Sequence, residues 1–501
     1  MGNVITAKVV IGEKTSNIAV SSRLSDILDM PLPCGGHGKC GKCKVRASGK
    51  LSPLSATEKE SLTPDEIARG VRLACCVRIE GDCTVDIIRD GAEKSKILTK
   101  ASAEAAAVSP SFSAYGAAVD VGTTTLAARL YNKSGDVIAE CGRLNPQSVR
   151  GADVISRIEA SMKGEDGELA TAVCNAIDGM LSELAASAGV LPTEIDGLVI
   201  TGNTAMLHFL TDTSPEPLSH APFEAKRLFD ETVSPAELGL YNISKDAEIY
   251  LPPCIAAFVG ADTVCALLAT DVCSREGALI ADIGTNGEMG LWHDGKLSVC
   301  STAAGPAFEG VGISMGMNGS DGAIDRVSLD GDRLSAHVIG DIAPRGICGS
   351  GLIDAVACLL DRETLDETGL LDDDPTEIAP PVCLSQHDIR MVQLAKSAIC
   401  AGILTLLDHA KLSENDVSVF HIAGGFGSYL DIKSAGRIGL IPEKLTGKVV
   451  VDGNAALSGA SMLLLDTNKR KDAAIIAKEA AVVDLATNPV FVESYMTGMM
   501  F

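Results

Sequence analysis

Cys34, Cys40 and Cys43 fall within ten residues, on a backbone loosened by Gly35, Gly36, Gly38 and Gly41. Cys75 and Cys76 follow about thirty residues later. Closely spaced thiolates bind soft metals, and glycine lets a loop wrap a compact object with its backbone N–H groups turned inward. One C-x2-C pair is also zinc spacing. A zinc ribbon, however, sets two such knuckles against each other, whereas here one loop offers three thiols and a later adjacent pair the fourth. His37 is a further candidate ligand in the same loop. Sixteen cysteines without an export-signal layout point to thiols and metal ligands rather than disulfides.

The second chemistry is carried by a repeated turn. Asp120-Val-Gly122-Thr123-Thr124-Thr125 recurs as Asp282-Ile-Gly284-Thr285-Asn286-Gly287-Glu288. A polyphosphate needs backbone N–H donors, hydroxyls, a hydrated divalent cation and little side-chain bulk. In each turn the Asp orients water on Mg²⁺, the Gly admits the phosphate and the Thr donates. Gly424-Gly425-Phe-Gly427 is a third turn, open enough for adenine and ribose to lie close to backbone. Asp120 and Asp282 are thus the candidate catalytic residues. Gly122, Thr123, Thr124, Thr125, Gly284, Thr285, Asn286, Gly424, Gly425 and Gly427 are the candidate nucleotide-binding residues. Three other stretches carry two readings each. Gly346 to Gly351 opens a helix, as an anion site or for close helix packing. Glu309 touches metal or water, or caps a turn. Residues 314–322 meet a partner, or their methionines fill gaps.

The elements that must position these groups are legible around them. Residues 4–11 and 17–20 read as strands across a turn, 24–30 as a short helix, and 83–88 as a closing strand. Ser55-x-x-Glu58 and Thr63-Pro64-Asp65-Glu66 are helix starts of capping-box type. Residues 96–113 have the Ala- and Ser-rich composition of a linker. Each Asp-Gly-Thr turn then joins strands of a hairpin, residues 116–121 to 126–131 and 278–283 to 289–292. A third strand extends each, at 137–144 and 297–300. Apolar residues at helical spacing over 169–188, 352–360 and 389–407, and strands at 197–200, 417–423 and 449–451, complete an alternating α/β pattern. The 162-residue offset between Asp120 and Asp282 marks a duplicated domain, not a solenoid. The expected organisation is a head over 1–95, a linker over 96–113, one half over 114–275 and another over 276–501.

Residues 1–95 hold 14 Lys and Arg against 12 Asp and Glu, and the remainder 28 against 54. A body this acidic excludes nucleic acid as a partner. No run of about 18 apolar residues suggests a membrane span, so a cytoplasmic protein is expected. The mildly basic head (Lys39, Lys42, Lys44, Arg46) suits an acidic docking surface.

The spacing C-x5-C-x2-C…C resembles that of plant-type ferredoxins, whose four thiolates hold a [2Fe–2S] cluster. That resemblance implies a β-grasp head with Cys34, Cys40, Cys43 and Cys75 as ligands, Leu73-Ala-Cys75 being the matching register and Cys76 the spare. The duplicated turns resemble the actin-like ATPase and sugar-kinase superfamily, which implies a ribonuclease H-like body hinged around ATP and Mg²⁺. Together, residues 34–43, 72–75, 120–125, 201–204, 282–288, 345–354 and 422–427 resemble the reductive activators of corrinoid-dependent methyltransferase systems. The resemblance implies ATP-dependent one-electron reduction of Co(II) corrinoid to Co(I), with a corrinoid protein and an upstream low-potential electron donor as partners. Two rival readings are an ATP-driven electron donor of the dehydratase-activator type and a small-molecule kinase with a regulatory cluster. The chain departs from larger relatives in two ways. It has no C-x2-C-x2-C runs near its C-terminus, and the short head-to-body connection implies that their middle domain is absent, which leaves a homodimer open.

Overall fold

The computed structural model describes residues 6–12, 14–28, 30, 32, 36, 38, 41–88, 107–151, 153–425 and 429–501. They divide into two compact units. One spans 1–93 with 146–165, and the other 94–145 with 166–501.

The first unit holds a five-stranded sheet of β1 (Thr6–Ile11), β2 (Lys14–Ala19), β3 (Lys44–Leu51), β4 (Val71–Leu73) and β5 (Ile79–Ile87), in the order β2-β1-β5-β3-β4. The β1–β5 pair is parallel and the others antiparallel, the mixed topology of a β-grasp. Alternation decides the faces. Ile79, Cys83 and Val85 of β5 point inward with Val9, Val45 and Leu73, while Glu80, Asp82 and Thr84 point to solvent. The helix Ala56–Ser61 begins at the expected capping box, with Ser55 and Glu58 each satisfying the other's backbone N–H. Thr63 and Glu66 do the same for Pro64–Ala68. The helix expected over 24–30 shrinks to one 3-10 turn, Leu24–Asp26. Apolar burial continues past the turn at Leu28 and Met30, so the segment packs on the core without staying helical.

Residues 146–165 are continuous in sequence with the second unit but belong to the first. They form a 3-10 turn (Pro146–Val149), a helix (Val154–Ala160) capped by Asp153, and a π turn closed by left-handed Gly164. Ser25, Ile27 and Leu28 of the head line one cavity with Val149, Arg150 and Lys163 of this segment.

The second unit is built on two similar sheets. The first runs β10-β11-β9-β6-β7-β8, from β6 (Tyr115–Val121), β7 (Thr125–Asn132), β8 (Val137–Leu144), β9 (Ile195–Gly202), β10 (Glu231–Val233) and β11 (Glu248–Leu251). The second begins with β12 (Ala278–Ile283), β13 (Gly287–His293) and β14 (Lys296–Thr302). An insert follows, comprising β15 (Ala323–Asp330), β16 (Arg333–Val338) and β17 (Gly346–Ile347), then the hairpin β18 (Thr376–Ala379) and β19 (Val382–Leu384). The chain returns with β20 (Val419–Ala423), β21 (Val449–Gly453) and β22 (Ala481–Val482), giving the order β21-β20-β12-β13-β14-β22. In each sheet three antiparallel strands are joined by a parallel one, β9 beside β6 and β20 beside β12. The central strands β6 and β12 are apolar almost throughout because both faces are covered. Among the features outside the sequence reading are the strands β10, β11 and β22, the insert strands and the helix Ala261–Thr270. This helix packs on Ala455–Leu465 so closely that a Cβ on Gly459 would lie 2.0 Å from the Cys265 carbonyl oxygen.

Part of the expected linker is fixed in place. Val108 and Ser109 donate backbone N–H groups to the Leu465 carbonyl, Ser111 donates to Leu464, and Phe112 is buried. The aromatic ring and these hydrogen bonds dock residues 107–113 on a helix end, which an Ala- and Ser-rich composition did not reveal. The helix Gln386–His409 is long and apolar enough to cross a membrane, but most of it is buried in this unit.

Candidate functional site

In the head, Cys43 and Cys75 turn buried thiols toward each other with their sulfurs 3.2 Å apart, and Cys76 Sγ lies 3.7 Å from Cys75 Sγ. Cys43 ends the loop just before β3, and its carbonyl accepts the Ala74 N–H, which sets Cys75 opposite it. Gly36, Gly38 and Gly41 all have positive φ, and a Cβ on Gly36 would lie 3.8 Å from the Cys75 Cβ. Cys34, Cys40, His37 and Lys39 lie outside the described residues. The Cys75 thiol is held far above its ordinary pKa, first by its hydrogen bond with Cys43, then by burial and by the charges of Cys43 and Cys76. Two buried thiols this close do not both ionise unless a cation is bound between them, so the donor set fits a metal cluster. Among the described residues no third Cys, His or acid completes such a group.

Behind the thiols, Glu58 is fully buried and accepts five hydrogen bonds: from Ser55 N and Oγ, Arg72 Nε and Nη2, and the Leu73 N–H. This buried ion pair ties helix Ala56–Ser61 to the strand that carries Cys75 and was not identified from sequence. Of the four basic residues near the loop, Lys44 is already paired with Glu66 at 2.7 Å.

In the second unit, a cavity of about 260 Å³ is lined by Thr124 and Thr125 from one hairpin and by Asp282 and Gly284 from the other. Gly424, Gly425, Phe308, Glu309, Asp325 and Ser350 also line it. The two expected turns therefore do converge, and so does the third. Pairing of β20 with β12 sets Ala423 beside Asp282. Gly424 then approaches so closely, with φ of +96°, that a Cβ there would lie 2.6 Å from Asp282 Oδ1 and from the Ile283 carbonyl oxygen. Gly427 lies outside the described residues.

Each turn is held by its own hydrogen bonds. Gly122 donates to the Thr125 carbonyl and Gly284 to the Asn286 carbonyl. Asn145 Nδ2 donates to the Gly122 carbonyl, and Asn203 Nδ2 to Thr123 Oγ1. Asn454 caps its helix through the Leu457 N–H and donates Nδ2 to Asp120 Oδ2. Glu309 bridges the hairpins: Oε2 accepts from Thr124 Oγ1 at 2.5 Å and Oε1 from Thr285 Oγ1 at 2.9 Å. The two readings of Gly346 to Gly351 also resolve into geometry. A Cβ on Gly351 would lie 2.2 Å from the Ile324 carbonyl oxygen, so close packing accounts for that glycine, while Ser350 lines the cavity.

Four half-buried acids gather at these turns. Burial raises Asp120 to about 6 against the pull of Asn454. Burial and the Asp120 charge raise Asp282 to about 7. Asp262 reaches about 7 through burial, then the charges of Asp282 and Asp120. Glu288 is pushed well above the carboxylate range by burial, Asp262 and Asp282. Like charges in a low-dielectric cleft need a cation to remain ionised. Among the described residues no three of them converge as direct ligands of a metal ion. Asp262 escaped the sequence reading. Its only signal is an acid in the first turn of an apolar helix, just after Gly260.

Comparison with known proteins places these features in a family. Residues 276–501 match the C-terminal domain of RACo, described as its ASKHA domain. Residues 115–275 match the RACo middle region, and residues 6–80 a 2Fe-2S iron-sulfur cluster binding domain. The chain belongs to the RACo family. Among its relatives is the corrinoid activation enzyme RamQ of Eubacterium limosum, 32% identical over 419 residues, which are 77% of this chain and 70% of RamQ. Another is the [Co(II) methylated amine-specific corrinoid protein] reductase of Methanosarcina barkeri, 28% identical over 62% of this chain and 63% of that one. A solved structure of a reductive activator for corrinoid,iron-sulfur protein superposes with a TM-score of 0.72 at 27% identity, covering 99% of this chain and 98% of that one. The head is thus a 2Fe-2S domain and the body an actin-like, sugar-kinase-like ATPase fold. One expectation is overturned. The middle region is present, since residues 115–275 match it.

Proposed function

We propose that the chain is an ATP-dependent reductive activator that delivers one electron to the Co(II) corrinoid of a partner protein, yielding Co(I). What carries this reading is the presence, in one chain of the RACo family, of a facing thiol pair and of a cleft where two Asp-Gly-Thr turns meet around four acids. A [2Fe–2S] cluster held by Cys34, Cys40, Cys43 and Cys75 supplies a single electron at about −400 mV. An upstream low-potential donor reloads it. A cytoplasmic location belongs to the same reading.

The rest is work for the chain's own residues. Gly122, Gly284 and Gly424 let phosphates approach backbone. Thr124 and Thr285 would donate hydroxyls to the phosphates, and Asp120, Asp262, Asp282 and Glu288 would hold a hydrated Mg²⁺, which would neutralise the phosphate charge. Hydrolysis of ATP to ADP and phosphate then reopens the cleft. For one electron, each 59 mV is a tenfold change in equilibrium. A ligand that shifts a two-state equilibrium from 1:99 to 99:1 discriminates by about 10⁴, or about 5.5 kcal/mol. Coupled fully to the corrinoid, that difference raises its effective potential by about 240 mV. ATP therefore acts on conformation, and the electron comes from the head.

The test mixes reduced protein with its Co(II) corrinoid partner and follows the corrinoid spectrum with and without Mg·ATP. Mg·ATP is expected to change the bound Co(II) spectrum and speed formation of Co(I), and Asp282→Asn to abolish both effects while leaving the head's absorbance intact. If ATP alters neither spectrum nor rate in the unmodified protein, the proposal is wrong.

A further inference from the structure

We propose that Glu309 is a competing anion for the γ-phosphate, so that its release distinguishes ATP from ADP and passes the nucleotide state to residues 313–319. The proposal rests on the nucleotide reading of the cleft and names how that site is regulated.

The two hydroxyls that Glu309 engages come from opposite hairpins, Thr124 of the first and Thr285 of the second. These are the donors that a bound polyphosphate requires from each turn. A hydroxyl has one hydrogen to donate, so a carboxylate and a phosphate oxygen cannot both accept from it. The two anions also repel across a cleft already rich in acids. A γ-phosphate reaching both hairpins must therefore turn the Glu309 carboxylate away, whereas a diphosphate that stops short of either threonine leaves it in place.

The local backbone permits this. Glu309 ends a short 3-10 turn, Pro306–Glu309, flanked by Gly305 and Gly310, with Gly312 just beyond, all three at positive φ. Phe308 is buried and anchors the turn, so it pivots rather than unravels. Gly310 then contacts the next loop directly. A Cβ on it would lie 2.7 Å from the Met317 nitrogen, and one on Gly316 would lie 2.2 Å from the Gly310 carbonyl oxygen. Met317 N donates to the Ile347 carbonyl and Ile347 N to that of Met315. Rotation about Gly310 therefore strains the pairing of 315–317 with β17 instead of dissipating in solvent.

The experiment measures binding of Mg·ATP and Mg·ADP to the full-length protein and to Glu309→Gln and Glu309→Ala by calorimetry. Hydrogen exchange of residues 305–319 in the unmodified protein is followed with ADP and with a non-hydrolysable ATP analogue. Both variants are expected to bind ATP about tenfold more tightly and ADP within about twofold of the unmodified protein. The ATP analogue, but not ADP, is expected to raise exchange over 313–319. Weaker ATP binding in the variants overturns the proposal in favour of a metal- or water-holding role. Unchanged ATP affinity together with unchanged exchange reduces Glu309 to a turn-forming residue. If the unmodified protein binds neither nucleotide, the nucleotide reading fails and this proposal with it. The exchange measurement needs no variant, so it decides the matter even if the substitutions impair folding.

Discussion

At the scale of single residues, the sharpest commitment concerns the fourth thiol. Cys75 faces Cys43 from within the core, whereas Cys76 is more exposed and lies beside Cys75 and Gly38. Cys75→Ser is expected to bleach the head's visible absorbance and Cys76→Ser to retain it. Glu58 makes a second prediction. Breaking a buried ion pair by removing one partner costs about 3–5 kcal/mol. Glu58→Gln leaves Arg72 buried beside a neutral group, so the head's visible absorbance should be lost at a clearly lower temperature. Charge at the cleft gives a third. In an unfolded chain Asp120, Asp262 and Asp282 lose their protons near pH 4, but in the fold they keep them to about 6 and about 7. Between about pH 4 and 7 the folded state thus binds more protons, and stability falls as pH rises. Without Mg²⁺ or nucleotide the protein should melt several degrees lower at pH 8 than at pH 5.5. Mg²⁺ should recover more at pH 8, and Asp282→Asn should flatten the profile. Lowered carboxyls such as Glu58 and Glu66 contribute stability that is lost only as pH falls below about 4.5, outside the lower end of the range tested.

Elements explain why these residues meet. Asp120 and Asp282 end equivalent strands, each flanked by an antiparallel partner and a parallel one, so the duplication read from sequence is also a duplication of register. The parallel neighbours bring in the third turn at Gly424 and the Thr201 to Thr204 turn, where Asn203 holds Thr123. Gly424→Ala combines a strained left-handed φ with a clash against backbone. It should weaken nucleotide binding by at least tenfold while leaving head absorbance unchanged. The first-turn acid Asp262 and the cap Asn454 come from two helices, one preceding β12 and one following β21. Their roles appear only once both helices are packed together.

At the scale of the whole molecule, one stretch obeys sequence order in the chain but not in the fold. Residues 146–165 leave the first ATPase half directly after Asn145, which binds the Gly122 carbonyl, and they complete the unit that contains the head. An isolated fragment of residues 1–95 lacks them. In that fragment the backbone amides of residues 24–28 should exchange faster than in the full chain, while those of β3 and β5 keep their protection.

The sequence by itself determined the chemistry. Thiols on a glycine loop, duplicated Asp-Gly-Thr turns and a third glycine turn are local patterns, since each needs particular residue types at short spacing. Alternation and helical periodicity likewise carried both halves of the ATPase and the strands of the head. Tertiary structure alone decided which groups share a site. Glu309 between Thr124 and Thr285, Asn454 on Asp120, Asp262 within the acid cluster and Glu58 under Arg72 are contacts between residues 14 to 334 positions apart or more loosely coupled through charge. No short pattern encodes such pairs, because they are set by strand register and helix packing, which minimise exposed apolar area over a whole unit at once.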